Sequence, residues 1–353
     1  MLPEARPDHP NAWTTDSIRS KSDITYVLSA KELSALDDAL NAIKASGLAV
    51  EEVTAGDFPL GGLEKVVAGW IQEIDYGKGL VFLQGIPVAR YTKDDCALIF
   101  WGIGAHMGEA QSQSLAGDRL GHVVNLGGDN PRYRAYQNST ELALHTDATD
   151  IVGMMCLVPA REGGLSGYAG AAAIYNELLN HHPDVLPILC EGFHYHLFGE
   201  HVPGESPVTE EKTPVFSEKD GCLSISYLRS YIEMAFAHMG KEKTAAESEA
   251  LDTLDQVAHG PKCFRQFMLS PGDMLFFSNY TVLHNRTAFV DDDDLDKRRH
   301  LLRLWLRAHD PRPLIENISA FGKRQGISKQ EGRTSIYDGE LEYEEYRVQM
   351  PRQ

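Results

Sequence analysis

Apolar residues in the first third of the chain recur every three or four positions, which is the period of an amphipathic helix. Three such stretches predict helices over residues 29–47, 63–77 and 92–106. The first opens on Ser29 with Glu32 three residues later, a pairing typical of a capped helix N-terminus. Between the second and third helices, an apolar run over residues 79–86 predicts a buried strand.

Beyond residue 107 the pattern changes to short apolar or alternating runs separated by Gly, Asn, Pro and Asp. Such runs are typical of β-strands joined by turns. Two stretches rich in helix-forming residues, 171–179 and 245–257, predict helices within this part. The predicted strands cover residues 122–126, 141–150, 151–158, 193–198, 222–228, 263–269, 274–277 and 300–307.

Together these elements predict a protein that is mainly β with flanking helices, folded as a double-stranded β-helix (jelly roll). We expect a single domain over residues 1–310, with a helical N-terminal part over about 1–107 and a jelly-roll core over about 108–310. Residues 311–353 are polar and charged. They are expected to form a C-terminal tail that wraps the domain or is partly disordered.

The formal net charge of −18 disfavours nucleic acid and anionic membranes as partners, because both attract clustered Lys and Arg. No apolar run approaches the roughly 20 residues that span a bilayer, and the N-terminus lacks a signal-peptide pattern. The five cysteines contain no Cys-x-x-Cys pair, which favours a reducing, cytoplasmic location. The expected partner is a small-molecule substrate, and the sequence leaves open whether the chain forms a homo-oligomer.

His145 and Asp147 stand two residues apart in the segment ELALHTDATD. On a strand such residues face the same side, so both side chains can bind one metal ion. The best third ligand is His284, in FFSNYTVLHNRTAF. Two histidines and a carboxylate on one face of a metal form the facial triad of non-haem Fe(II) oxygenases. The same strand parity places Glu141 to hold an amine or hydroxyl of the substrate, although a solvated strand-edge carboxylate explains it equally well.

An arginine cluster follows His284, at Arg298, Arg299 and Arg303. A site that uses 2-oxoglutarate must hold the distal carboxylate of this co-substrate, and the planar guanidinium of arginine binds a carboxylate through two donors. Neutralisation of the acidic run at residues 291–294 explains Arg298 better than Arg303, which lies in an apolar strand where an unpaired charge is costly. The cluster therefore indicates a 2-oxoglutarate site.

Four segments occur in one order along residues 13–310: LHTDATD, VPAREGGLSGYAGAAAIYNELL, PGDMLFFSNYTVLHNRTAF and RRHLLRLWL. In these segments the sequence resembles the TauD/TfdA family of Fe(II)/2-oxoglutarate-dependent dioxygenases, also called clavaminate synthase-like proteins. The resemblance implies that Fe(II), 2-oxoglutarate and O2 are used, and that succinate and CO2 are released as a small organic or natural-product substrate is oxidised.

Carried over by position, the resemblance implies that His145, Asp147 and His284 ligate iron. It implies that Arg299 binds the distal carboxylate of 2-oxoglutarate, with help from the hydroxyl of Ser166, where the family often has Thr. The inserted DDDDLD run stretches the spacing after the second histidine, so the choice between Arg299 and its neighbour stays open by one position.

Two further residues gain expected roles from the resemblance. Arg303 is expected beside the co-substrate or an anionic group of the substrate, and Gln113 is expected to contact the substrate. The presence of Asp147 favours hydroxylation or another oxidation, since related halogenases lack this carboxylate so that halide can occupy its place.

Two other functions are compatible with the same three ligands. One is a zinc hydrolase on a cupin-like barrel, because two histidines and an aspartate with an open position also suit Zn(II). The other is a catalytically silent metal-binding barrel. The arginine strand has no obvious role in a zinc hydrolase, and in a silent barrel the three ligands would be structural.

Overall fold

The computed structural model describes residues 2–4, 6, 8–126, 138–201, 204–320 and 326–332. Helices occur in two groups, one in the first third of the chain and one inserted between later strands. They are α1 (Ala30–Ser46), α2 (Glu64–Tyr76), α3 (Lys93–Ala105), α4 (Ala171–His181), α5 (Leu186–Glu191), α6 (Arg229–Met239) and α7 (Ala245–Ala258). None of the helices in these ranges is long and apolar enough to cross a membrane.

The strands lie before, between and after these helices along the chain. They are β1 (Thr25–Val27), β2 (Leu80–Gln84), β3 (Gly108–Ala110), β4 (Leu120–Val124), β5 (Leu142–His145), β6 (Ile151–Val158), β7 (Glu162–Gly163), β8 (Ser166–Gly170), β9 (Phe216–Lys219), β10 (Cys222–Ile225), β11 (Phe264–Phe267), β12 (Met274–Ser278), β13 (Val282–Arg286), β14 (Phe289–Val290) and β15 (His300–Ala308).

The larger sheet has seven strands in the order β1-β2-β12-β6-β15-β3, and β4 also pairs with β15. All pairs in it are antiparallel except β1 with β2. Its first two strands come from the part of the chain predicted to be mainly helical. That part therefore contributes directly to the β core as well as covering it.

The smaller sheet has four antiparallel strands in the order β11-β8-β13-β5. Tyr168 of β8 joins it to the larger sheet, because its ring lies 6.1 Å from the ring of Phe82 and 5.9 Å from that of Phe277. Helices α1–α3 pack on the outer face of the larger sheet, and α4–α7 pack on the outer face of the smaller one. The predicted jelly roll with flanking helices is confirmed, and its interior lies between the two sheets.

Most predicted elements occur where the sequence places them. The Ser29 capping box begins α1, and α2, α3, α4, α7 and β6 agree closely with their predicted ranges. The predicted strand at 193–198 is wrong, since Phe193 and His196 form only isolated bridges. The predicted strand at 222–228 is shorter than expected, because the chain turns into α6 directly after Leu228.

The described part of the predicted tail packs against the core. Leu314 and Ile318 form an apolar cluster with Tyr280. Farther along, the Ile327 amide donates to the Ser112 carbonyl, and the Ile327 side chain is buried between the sheets. The described tail residues therefore wrap the domain, whereas residues 321–325 and 333–353 lie outside the described ranges.

Candidate active site

The three predicted metal ligands meet at one end of the smaller sheet. His145 is the last residue of β5 and pairs across the sheet with His284 of β13. Asp147 follows β5 in a loop, so the premise of one continuous strand through both residues is wrong. One ligand atom from each residue lies within 4.8 Å of the others. The Asp147 oxygens lie 3.7 Å from Nε2 of each histidine.

Asp147 is held by two neighbours that the sequence did not single out. Its backbone N–H donates to Oδ1 of Asn279 at 2.6 Å, and Nδ2 of Asn279 donates back to the Asp147 carbonyl at 2.6 Å. Nε1 of Trp305 donates to Asp147 Oδ2 at 2.9 Å. The two bonds from Asn279 fix the backbone of Asp147, and the bond from Trp305 fixes its carboxylate. Strand β5 ends at His145 and does not itself fix Asp147.

Both histidines are neutral in the folded protein, the form in which an imidazole can bind a metal. Nδ1 of His145 lies 2.9 Å from the Ala143 carbonyl, so the proton belongs on Nδ1 and Nε2 is free to bind a metal. Burial lowers the pKa of His145, and burial together with the nearby His145 lowers the pKa of His284 to about 3. Two neutral imidazoles and a carboxylate are donors that fit Fe(II) and leave positions for exchangeable ligands.

Arg299 stands just before β15 and is 3% exposed. Its guanidinium carbon lies 5.0 Å above the ring of Phe289, and Nη1 is buried without a hydrogen-bond partner in the described residues. Burial lowers the pKa of Arg299 to about 10, which leaves it charged at neutral pH. Its neighbour Arg298 is partly exposed and donates to the Asp292 carbonyl. Arg299 is therefore the better placed of the two to bind a buried anion.

Ser166 begins β8 and is buried beside this arginine pocket. The chain reaches it through two glycines in left-handed conformation, with φ of 72° at Gly163 and 70° at Gly164. A side chain at Gly164 would start 3.4 Å from Nε of Arg299, so glycine allows the close approach. Across the sheet, Ser166 pairs with Arg286 of β13.

The predicted substrate residues occupy different environments. Oε1 of Gln113 accepts from Nε of Arg303 at 2.6 Å, and Nε2 of Gln113 donates to the Arg303 carbonyl at 2.9 Å. Gln113 thus orients Arg303, whose Nη1 lies 3.7 Å from Asp147 Oδ2. Glu141 precedes β5 and is exposed, so the strand-parity argument does not apply to it.

A cavity lies beside the loop that carries Asp147. Asp147 and Trp305 form part of its wall, and Tyr195, Tyr231 and Ser319 line it from other segments. The wall therefore combines aromatic surface with hydroxyl groups. Ser319 belongs to the C-terminal segment, so that segment closes one side of the cavity.

Comparison with known proteins adds independent findings. The family model described as "Taurine catabolism dioxygenase TauD, TfdA family" matches residues 43–305. The chain is 31% identical over 315 residues to FR-33289 synthase of Streptomyces rubellomurinus, covering 88% of this chain and 92% of that protein. It is 28% identical over 310 residues to taurine hydroxylase-like protein SAT17 of Stachybotrys chartarum, covering 83% and 77% respectively.

Two solved structures share the fold at low sequence identity. Asparagine oxygenase in complex with Fe(II), 2S,3S-3-hydroxyasparagine and succinate has a TM-score of 0.64 at 16% identity, covering 80% of this chain and 93% of that chain. The non-haem iron oxygenase OrfP in complex with Fe, succinate and (3S)-hydroxy-L-Arg has a TM-score of 0.60 at 14% identity, covering 80% and 94%.

Proposed function

The chain belongs to the taurine catabolism dioxygenase TauD, TfdA family, and from this membership we propose that it hydroxylates a small polar molecule at a centre formed by His145, Asp147 and His284. The enzyme is an Fe(II)- and 2-oxoglutarate-dependent dioxygenase. Iron at this centre supplies O2 activation coupled to the oxidative decarboxylation of 2-oxoglutarate to succinate and CO2. Family membership favours this function over a zinc hydrolase or a silent metal-binding barrel.

The site assignment is based on two features that occur together. Three possible metal ligands lie close to one another, and a buried arginine follows the last of them in the chain. Arg299 has a buried Nη1 without an acceptor among the described residues, and a carboxylate is the acceptor that its planar donors fit best. In the proposal, Arg299 binds the distal carboxylate of 2-oxoglutarate and Ser166 contributes its hydroxyl. Asn279 and Trp305 hold Asp147 in its binding orientation.

The substrate is proposed to enter the cavity that Asp147 shares with Tyr195, Tyr231 and Trp305. The cavity wall and the C-terminal segment around Ser319 would exclude bulk water from the reacting carbon. Arg303, oriented by Gln113, is proposed to face an anionic group of the substrate or co-substrate. Support comes from relatives of this fold that hold hydroxylated amino acids, which are small and polar. Substrate contact by Glu141 stays a prediction.

The proposed function is tested without knowledge of the primary substrate. Under nitrogen, Fe(II) and 2-oxoglutarate are added, and we expect a visible metal-to-ligand charge-transfer band, followed by succinate formation when O2 is admitted. The Arg299→Ala variant should need at least tenfold more 2-oxoglutarate to develop the band. A wild-type protein that gives neither the band nor succinate would contradict the function.

We also propose that the protein works in a reducing compartment such as the cytoplasm. All five cysteines are free thiols, and Cys96, Cys156 and Cys263 are buried. Burial raises the pKa of Cys96 to about 11, which disfavours its reactive thiolate form.

A further inference from the structure

A second arginine, Arg286, shares the aromatic ring over which Arg299 lies. The guanidinium carbon of Arg286 is 4.7 Å from the centre of the Phe289 ring, and that of Arg299 is 5.0 Å from the same centre. Arg286 is 5% exposed and Arg299 is 3% exposed. Two guanidinium groups are therefore buried together around one ring.

The strand register places Arg286 beside the proposed co-substrate site. Arg286 follows the proposed iron ligand His284 by two residues on β13. Across the sheet, Arg286 pairs with Ser166 of β8, just as His284 pairs with Tyr168. The residue proposed to help bind the distal carboxylate is thus the direct cross-strand neighbour of Arg286.

The charges of this cluster do not balance within the described residues. Asp291 is the carboxylate whose field acts on both Arg286 and Arg299. Its Oδ1 accepts from the backbone N–H of Arg299 at 2.9 Å, and its Oδ2 has no hydrogen-bond partner in the described ranges. Two guanidinium groups and one carboxylate leave one positive charge, and a buried charge is costly unless it is paired.

The unused hydrogen-bond donors lie on the same two arginines. Nε and Nη1 of Arg286 and Nη1 of Arg299 are buried, and none has an acceptor among the residues that the structure describes. One carboxylate would supply the missing negative charge and two oxygens that can accept several N–H groups. The cluster therefore has the charge and the donors for one bound carboxylate.

We propose that Arg286 is a second anchor for the distal carboxylate of 2-oxoglutarate, acting together with Arg299. This inference rests on the proposed function, because it assigns an additional residue to the same co-substrate. Arg286 supplies the excess positive charge, since Arg299 and Asp291 alone would be electrically neutral. The joint site selects a 2-oxo acid that carries a second carboxylate.

A purely structural role for Arg286 gives a different expectation. Its Nη2 donates to the Thr140 carbonyl, just before the metal-ligand strand β5. If Arg286 served only to tie down this segment, its loss would weaken all 2-oxo acids alike. If it binds the distal carboxylate, its loss would weaken 2-oxoglutarate selectively.

The test compares two co-substrates in one binding assay. 2-Oxoglutarate and 2-oxovalerate have the same chain length, but 2-oxovalerate lacks the distal carboxylate. Their dissociation constants are measured with Fe(II) under nitrogen from the charge-transfer band, for the wild type, Arg286→Gln and Arg286→Lys. The control is Arg307→Gln, which removes a guanidinium from β15 that pairs with Glu109 at the surface.

The test of the proposal is the ratio of the dissociation constants of 2-oxovalerate and 2-oxoglutarate. We expect Arg286→Gln to reduce the preference for 2-oxoglutarate by roughly 10- to 100-fold. Arg286→Lys should reduce it by about three- to tenfold, because lysine keeps the charge and loses the planar donor fork. Arg307→Gln should leave the ratio at the wild-type value.

An unchanged ratio in either Arg286 variant would overturn the proposal, even if both constants rise. Should Arg286→Gln fail to fold, Arg286→Lys decides alone, since it keeps the charge and a donor for the Thr140 carbonyl. A wild-type protein that gives no band with 2-oxoglutarate would instead contradict the proposed function. The two failures are therefore distinguishable.

Discussion

Asn279 is a single residue on which the geometry of the proposed metal ligands depends. It bonds both the backbone N–H and the carbonyl of Asp147, the one proposed ligand that lies outside a strand. A ligand in a loop loses orientation when such bonds are removed, and supporting bonds of this kind are worth roughly 10- to 100-fold in metal affinity. Asn279 therefore positions a proposed ligand without being a ligand itself.

We expect Asn279→Ala to weaken Co(II) binding by roughly 10- to 100-fold, measured by the visible absorption of Co(II) as a spectroscopic substitute for Fe(II). The matched control is Asn317→Ala, which removes a side-chain bond to the Lys212 carbonyl. This control should bind Co(II) like the wild type. Equal affinity of Asn279→Ala and Asn317→Ala would contradict the supporting role.

Residue types and spacing were sufficient to predict the three proposed ligands, because HTD and the later His284 stand in distinctive segments. They were insufficient for Asn279 and Arg286. The importance of Asn279 depends on a loop folding back over Asp147, and that of Arg286 on the pairing of β13 with β8. Such contacts join residues far apart in sequence, so no local pattern reports them.

At the scale of elements, β4 and β15 bring together a partly buried histidine, His122, and a buried one, His300. Nδ1 of His122 lies 2.8 Å from Nε2 of His300, outside the group of proposed iron ligands. Burial lowers the pKa of His122 to about 4, and burial with the neighbouring His122 lowers the pKa of His300 to about 3. Both side chains are neutral in the folded protein at neutral pH.

This pair makes the stability of the fold dependent on pH. In the unfolded chain both histidines take up protons below about pH 6.5, whereas the folded chain takes them up only near pH 3–4. The two histidines therefore do not lower the free energy of unfolding above pH 6.5, and they lower it progressively as the pH drops towards 4. The loss of stability therefore grows as the pH falls through this range.

We expect urea unfolding of the metal-free protein to reveal this loss between pH 7.5 and pH 5. A double variant, His122→Gln with His300→Gln, keeps groups that can bond to each other and cannot titrate. Its free energy of unfolding should fall less over the same range. The same decrease in both proteins would argue against the pair as a source of the pH dependence.

Prediction of elements succeeded where a local signal was strong. All residues that predict α1, namely its capping box and its periodic apolar residues, lie within the helix or directly before it. Strand β8, SGYAG, was missed because its small residues carry no apolar alternation, although all five are buried between neighbouring strands. Residues 193–198 alternate like a strand but lack a partner segment of matching length, and only isolated bridges form.

At the scale of the whole molecule, the C-terminal segment links the β core to the cavity. Ile318 is fully buried against Tyr280, and the next residue, Ser319, lines the cavity beside Asp147. Packing of the Ile318 side chain therefore positions Ser319 in the cavity wall. The sequence indicated a tail that wraps or is disordered, because the few apolar residues gave no partner for it.

Ile318→Ala should lower the free energy of unfolding by about 2–4 kcal/mol, since it removes a fully buried aliphatic side chain. Ile315→Ala, at a partly buried position in the same segment, should cost less. Urea denaturation of the three proteins checks both values. A smaller loss for Ile318→Ala than for Ile315→Ala would show that this segment is not held by the cluster.

The position of β15 also affects how the protein is made. It is the last strand along the described chain, yet it pairs with β3, β4 and β6 inside the larger sheet. During synthesis these three strands leave the ribosome long before their common partner. A nascent or truncated chain that ends before residue 300 therefore has unpaired strand edges, which are prone to aggregation. The larger sheet can therefore be completed only after β15 has been synthesised.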